Sequence, residues 1–135
     1  MRLARRVCRS SIVTAGLLAT GCAANSTGLG ACTTEQRPGL LVNVIDSVTL
    51  QPPASAILIA TADIFTDSIG PSVPYQDPST GKKSLLFNAA YETWGTFSIV
   101  VRSSGYRDWT GSAAVTHDFC HVQTMAVTAR LVRSN

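Results

Sequence analysis

The chain has 135 residues, 45% of them hydrophobic and 14% charged, with a formal charge of +3. Four of its eleven basic residues, Arg2, Arg5, Arg6 and Arg9, fall in the first 21 positions, and beyond them seven bases face eight acids. That balance excludes a basic surface for nucleic acid. The 114 residues from Cys22 onward are enough for one domain with its own core and too few for two.

The arginines precede an apolar stretch, Ile12–Ala19, and Gly21-Cys22 follows it. Charged, apolar and small residues in that order make an export signal over residues 1–21. The apolar part is about half of the roughly 20 residues that a membrane-spanning helix needs. Leu18-Ala19-Thr20-Gly21-Cys22 resembles the lipobox of bacterial lipoproteins, with Ala19 where that motif usually has leucine. The resemblance implies that Cys22 is lipidated and becomes the new N-terminus, holding the protein to a membrane. Ala23 after the cysteine, with no Asp, resembles the pattern of lipoproteins sent on to an outer membrane. The alternative is a soluble periplasmic or secreted protein cut near Ala23 or Ala24, with Cys22 lost alongside the signal.

Of the four cysteines, Cys8 leaves with the signal and Cys22 is the lipid acceptor, so Cys32 and Cys120 remain as a pair. Export to an oxidising compartment favours a disulfide between them. Closing so long a loop contributes about 4–5 kcal/mol in the chain-entropy model. A competing reading groups Cys120 with His117 and His121 as metal ligands. The spacing His-x-x-Cys-His matches no closed zinc pattern, and adjacent residues on a strand point to opposite faces, so no metal is expected.

Residues 22–37 read as a tether and N-terminal segment, small and polar from Ala23 to Gly30. The domain spans 38–133. Gly39–Asp46 is the first strand, with Leu40, Val42 and Val44 on one face. Ser47–Pro53 is a polar, proline-containing turn. Ala56–Phe65 is the second strand, apolar on both faces and therefore central. Asp67–Lys83, with Pro71, Pro74 and Pro78, is a surface excursion with a short edge strand near Val73–Tyr75. Ser84–Glu92 is a further strand, with Leu85, Phe87, Ala89 and Tyr91 on one side and Leu86 and Asn88 on the other. Thr93-Trp94-Gly95 turns into the strand that organises the rest, in which Phe97, Ile99 and Val101 alternate with Ser98, Val100 and Arg102. Tyr106–Val115 is an outer strand and His121–Val132 the last, with Met125, Val127, Ala129 and Leu131 alternating. No stretch has a helical period, so the chain is all-β.

Two stretches carry a family resemblance. Gly95–Tyr106 reads GTFSIVVRSSGY, and Val44–Ile59 reads VIDSVTLQPPASAILI. Together they resemble the carboxypeptidase regulatory-like domains, in which Asp-x-x-Thr and a proline shape the turn before the next strand. Ser55-Ala56 stands where that family often has Gly-Ala. The likeness covers Pro38 to Val132. It implies a transthyretin-like Greek-key β-sandwich of seven strands (six to eight). It also implies an accessory or protein-interaction role without catalysis, on a fold similar to carbohydrate-binding β-sandwiches.

No catalytic residue or cofactor is expected. A nucleophile needs a positioned base, and the two histidines, His117 and His121, sit together beside Cys120, where a surface turn explains them. Some transthyretin-like proteins hydrolyse a purine-pathway intermediate, but their Tyr-Arg-Gly-Ser ending has no counterpart in Arg-Leu-Val-Arg-Ser-Asn here. No glycine-rich phosphate loop or calcium loop is present. Tyr75, Tyr91, Trp94 and Trp109 lie near loops and strand ends, where aromatics can stack on a glycan or grip a protein. Trp109 is expected to pack over the sandwich edge and Trp94 to be exposed. Three roles thus remain open: an interaction domain, a glycan-binding module with clustered exposed aromatics, or an enzyme with a polar pocket around a histidine.

Overall fold

In the computed structural model, which describes residues 32–134, every regular element is a strand. The export signal, Cys22 and the tether up to residue 31 lie outside the described residues. In chain order the strands are β1 (Pro38–Asp46), β2 (Ala56–Ala62), β3 (Phe65–Ser72), β4 (Tyr75–Gln76), β5 (Lys83–Ser84), β6 (Leu86–Tyr91), β7 (Gly95–Arg102), β8 (Trp109–His117), β9 (Val122–Gln123) and β10 (Met125–Leu131). Three of the ten, β4, β5 and β9, are two-residue pieces, and the seven others have six residues or more.

The strands make a three-stranded sheet ordered β10-β1-β6, a five-stranded sheet ordered β3-β2-β7-β8-β9, and the ribbon β4-β5. β1 is antiparallel to β6 and parallel to β10, whereas every pair in the five-stranded sheet is antiparallel. Period-two alternation aims one face of each sheet inward. Leu40, Val42, Val44, Phe87, Ala89, Ala129 and Leu131 from the first sheet meet Leu58, Ala60, Phe97, Ile99, Val101 and Val115 from the second in one buried cluster. β2 is flanked on both sides, as its two apolar faces suggest.

Four details depart from the sequence reading. The strand expected over Ala56–Phe65 ends at Ala62, and the chain reverses at Asp63-Ile64, Asp63 taking a left-handed φ of 46°. What reads as the start of an excursion is therefore β3, an edge strand, where Pro71 has no ladder bond to forfeit. The short edge strand lies at Tyr75–Gln76 and not at Val73–Tyr75. Tyr91 is exposed and not on the core side, because Ala90, at φ 55°, shifts the alternation and is itself buried. The N–H of Ala90 donates to Asp67 Oδ2 on β3 at 2.9 Å, which ties the two sheets together. Finally, the last strand is two: β9 closes the five-stranded sheet, and after Thr124 the chain crosses over as β10 to lie beside β1. Thr124 Oγ1 donates to the Pro38 carbonyl at 2.7 Å at that crossing.

The turn between β6 and β7 sits against β1 at Gly39. A Cβ there would meet the Ala90 and Thr93 carbonyl oxygens at 2.8 and 2.9 Å, both backbone atoms with little freedom to retreat. Gly39→Ala is expected to destabilise the domain by about 1–3 kcal/mol, read as a shifted urea midpoint at unchanged slope. An unchanged midpoint would mean that the turn is free to move off β1.

Candidate functional site

Strand register gathers several loops at one end of the domain. Thr61 pairs with Ser98 just before the Asp63-Ile64 reversal, Gly95 pairs with Val115, and Pro38 pairs with Tyr91. The β2–β3 turn, the Glu92–Trp94 turn, the Asp118–His121 loop and the segment entering β1 therefore share one rim. Cys32 and Cys120 are disulfide-bonded there, with their α-carbons 5.3 Å apart and a sequence separation of 88. Cys120 is accordingly no thiolate donor, and among the described residues no group of three His, Cys, Asp or Glu side chains is placed to hold a metal.

Asp118, Glu92 and His121 each have a local task on the rim. Asp118 Oδ1 accepts the N–H groups of Cys120 and His121 at 2.8 and 2.9 Å, and the Asp118 N–H donates to the His121 carbonyl at 2.9 Å, closing the loop. Glu92, at φ 49°, accepts the Arg37 N–H at 2.7 Å while its own N–H donates to the Arg37 carbonyl at 3.0 Å. The same carboxylate accepts His121 Nδ1–H at 2.9 Å and the Val122 N–H at 3.4 Å. These bonds hold the Glu92 carboxyl below its ordinary value, the Arg37 N–H first, with His121 adding to it. Asp118 is lowered for the same reason, by the His121 and Cys120 N–H groups.

His121 is largely buried between these groups. A carboxylate cannot donate, so Nδ1 carries a proton, and in the neutral imidazole Nε2 accepts from the Thr33 hydroxyl at 2.9 Å. Glu92, His121 and Thr33 thus form a carboxylate–imidazole–hydroxyl chain, the order that activates an alcohol in hydrolases. Activation alone does not make acyl-transfer chemistry, which also needs free donors aimed at an oxyanion. The neighbouring N–H groups of Cys120 and His121 are engaged by Asp118.

The apolar part of the rim is open. Trp94 is 60% exposed and Phe119 79% exposed, and both line a shallow concavity of about 250 Å³ with His117 and Asp118. The Trp94 and His117 rings lie 4.5 Å apart, tilted by 42°. His117 Nδ1 is bonded to the Asp118 carbonyl at 2.9 Å. Ile64, at the tip of the neighbouring turn, is fully exposed.

The four aromatics singled out in the sequence are dispersed. Trp94 is on this rim. Trp109 pairs with Val101 at the opposite end of β8, half-buried against the core, and lines a different concavity with Arg107 and Arg130. Tyr75 is exposed on the short β4, and Tyr91 is exposed at the end of β6. Phe119 and Ile64 are each a large apolar residue beside an aspartate at a turn, which is the sequence sign of an exposed tip.

At the far end a second polar cluster forms around Asp46, 2% exposed. Its Oδ1 accepts the Val48 and Thr49 N–H groups at 2.8 and 2.9 Å, and its Oδ2 accepts Tyr106 O–H and Arg133 Nε–H, each at 2.9 Å. Arg133 also lies over the Tyr106 ring, 5.7 Å from its centroid. Burial, then the Asp46 carboxylate, raise the Tyr106 phenol. Comparison with protein-family models, with curated proteins and with solved structures finds no match to this chain.

Proposed function

We propose that this chain is an exported, lipid-anchored accessory domain of the bacterial cell envelope, which works by contact with a partner and not by catalysis. In this reading Cys22 carries the lipid, Ala23 directs the protein to the outer membrane, and residues 38–133 form a Greek-key β-sandwich of the carboxypeptidase regulatory-like, transthyretin-like kind. The family reading is supported by the meeting of its two separate motifs, since the Tyr106 hydroxyl reaches the carboxylate of Asp46 at 2.9 Å. The shared core of a three-stranded and a five-stranded sheet agrees with a sandwich.

The observation that carries the functional reading is the division of labour on the rim. The Glu92 and Asp118 carboxylates and His121 are bonded internally, whereas Trp94 and Phe119 face solvent. Such a surface offers contact area and little reactive chemistry. The same two aromatics beside His117 favour a second reading, a glycan-binding module.

The anchor is tested by expressing the whole chain in a bacterial envelope. The protein is expected to partition into detergent and to carry fatty acyl mass on Cys22. Recovery of an unlipidated protein beginning after Cys22 sinks the anchor and leaves a soluble exported domain.

A further inference from the structure

We infer that the rim bearing Ile64, Trp94 and Phe119 is a membrane-docking surface, seated in the headgroup–acyl boundary of the bilayer to which Cys22 is anchored. The inference rests on the lipid-anchor reading above and adds an orientation and a contact surface to it.

Three loop tips present large apolar side chains, with exposures of 104% for Ile64, 60% for Trp94 and 79% for Phe119. They belong to the β2–β3 turn, the entry to β7 and the β8–β9 loop, which follow one another along the five-stranded sheet. At about 4.8 Å between strands the tips form a row roughly 15 Å long. Turn positions ordinarily hold small or polar residues, and these three contribute little to the core. Exposed apolar clusters on a folded domain mark a surface that another phase or partner covers.

The path of the chain selects the bilayer as that phase. Cys32 is bonded to Cys120, the residue after Phe119, so the tether leaves the domain beside the row. Nine residues lie between Cys22 and Cys32, a reach of at most about 35 Å. The opposite end lies one strand length away, roughly 30 Å for the nine residues of β1. An anchored lipid therefore joins the domain at this rim and holds the row at high effective concentration beside the membrane. Tryptophan is enriched at the membrane–water interface because its amphipathic ring suits the headgroup level. The far end exposes the aliphatic Val48, Leu50, Val73 and Val132 and one aromatic, Tyr75, but no tryptophan as exposed as Trp94.

Charge is not the attraction. Glu35, Asp63, Glu92 and Asp118 stand on the rim against Arg37, a balance that gives no pull toward anionic lipid. Docking is therefore apolar. It proceeds on zwitterionic lipid and is insensitive to salt.

The full-length acylated protein, reconstituted into phosphatidylcholine vesicles with brominated acyl chains, provides the test. The wild-type emission less that of Trp94→Phe isolates Trp94, and Trp94→Phe alone reports Trp109 at the far end. Trp94 emission is expected to shift to shorter wavelength and to lose more than about half its intensity to the bromines, as fits side chains about 5–10 Å into the boundary. Trp109 is expected to be unaffected. Ile64→Trp placed in the Trp94→Phe background is expected to be quenched in the same way. Acyl mass on Cys22 with Trp94 unquenched overturns the docking surface and leaves the anchor standing. Absence of acyl mass overturns both. A shift of Trp94 caused by soluble peptidoglycan fragments and not by lipid overturns docking in favour of a glycan site.

Discussion

Asp46→Ala is expected to lower the melting temperature of the domain by roughly 10 °C or more. The carboxylate is almost fully buried and accepts four hydrogen bonds, two from the turn after β1 and two from Tyr106 and Arg133. Alanine leaves the Tyr106 hydroxyl and the two turn N–H groups without an acceptor, and orphaned buried donors are costly. It also removes the link between the β1–β2 turn and the stretch after β10, because Arg133 reaches β1's end through this carboxylate. Asp46→Asn is expected to fall in between, since its amide oxygen still serves the turn but its NH2 group faces the Arg133 donor. Tyr106→Phe, which removes one bond, is expected to cost about 5 °C. Retention of the wild-type melting temperature in Asp46→Ala would remove this cluster as a support of the fold.

The same carboxylate sets an acid limit. The Thr49 and Val48 N–H groups, and then Arg133, hold Asp46 well below the ordinary carboxylate value. Its folded pKa is thus depressed relative to about 3.9 in the unfolded chain. The stabilisation is complete above the unfolded value and is lost as pH falls through the folded one. Asp77, lowered to about 2 by the Ser79 hydroxyl and N–H groups, and Glu92 and Asp118, also lowered, act in the same direction. The melting temperature is expected to be flat near neutrality and to fall below about pH 4. In Asp46→Asn the remaining acid slope is expected to be shallower.

The sequence is most informative where one face is buried without interruption. Leu40, Val42 and Val44, and again Phe97, Ile99 and Val101, alternate cleanly and are all buried. It is least informative where the phase slips by one residue. Ala90 joins Ala89 in the core and turns Tyr91 outward. Val122 points inward at an even position, whereas Val127, Ala129 and Leu131 do so at odd ones, and the slip between them is the crossing from one sheet to the other. Read by composition, both stretches look like one continuous strand. Pro71 suggests an irregular loop, yet an edge strand accommodates it. At the rim, Trp94 and the histidine pair stand out in the sequence. Their meeting with Glu92 and Thr33 does not, because it depends on pairings 29 and 88 residues apart.

Removing the disulfide with Cys32→Ser and Cys120→Ser is expected to lower the melting temperature by about 10 °C and to leave the fold intact. The bond closes a loop with a sequence separation of 88 residues, for which the chain-entropy model gives about 4–5 kcal/mol as an upper figure. Each kcal/mol is worth roughly 4–8 °C in a domain of this size. Residues 32–37 are exposed and add nothing to the buried cluster, so the sheets do not need them. What they lose with the disulfide is their hold on the rim, which is left to the Thr33–His121 bond and the Arg37–Glu92 exchange. Far-ultraviolet circular dichroism of the double variant is expected to keep its strand-dominated shape, and unfolding to remain one cooperative step. Chelator is expected to leave the wild-type melting temperature unchanged. A chelator-induced fall matching that of the double variant, with equal damage from His117→Ala and His121→Ala, would reinstate a metal site around Cys120. Thiol counting on the acylated, unfolded protein under oxidising conditions settles the bond itself: none free is the expected result, and two free thiols would mean that Cys32 and Cys120 are not joined.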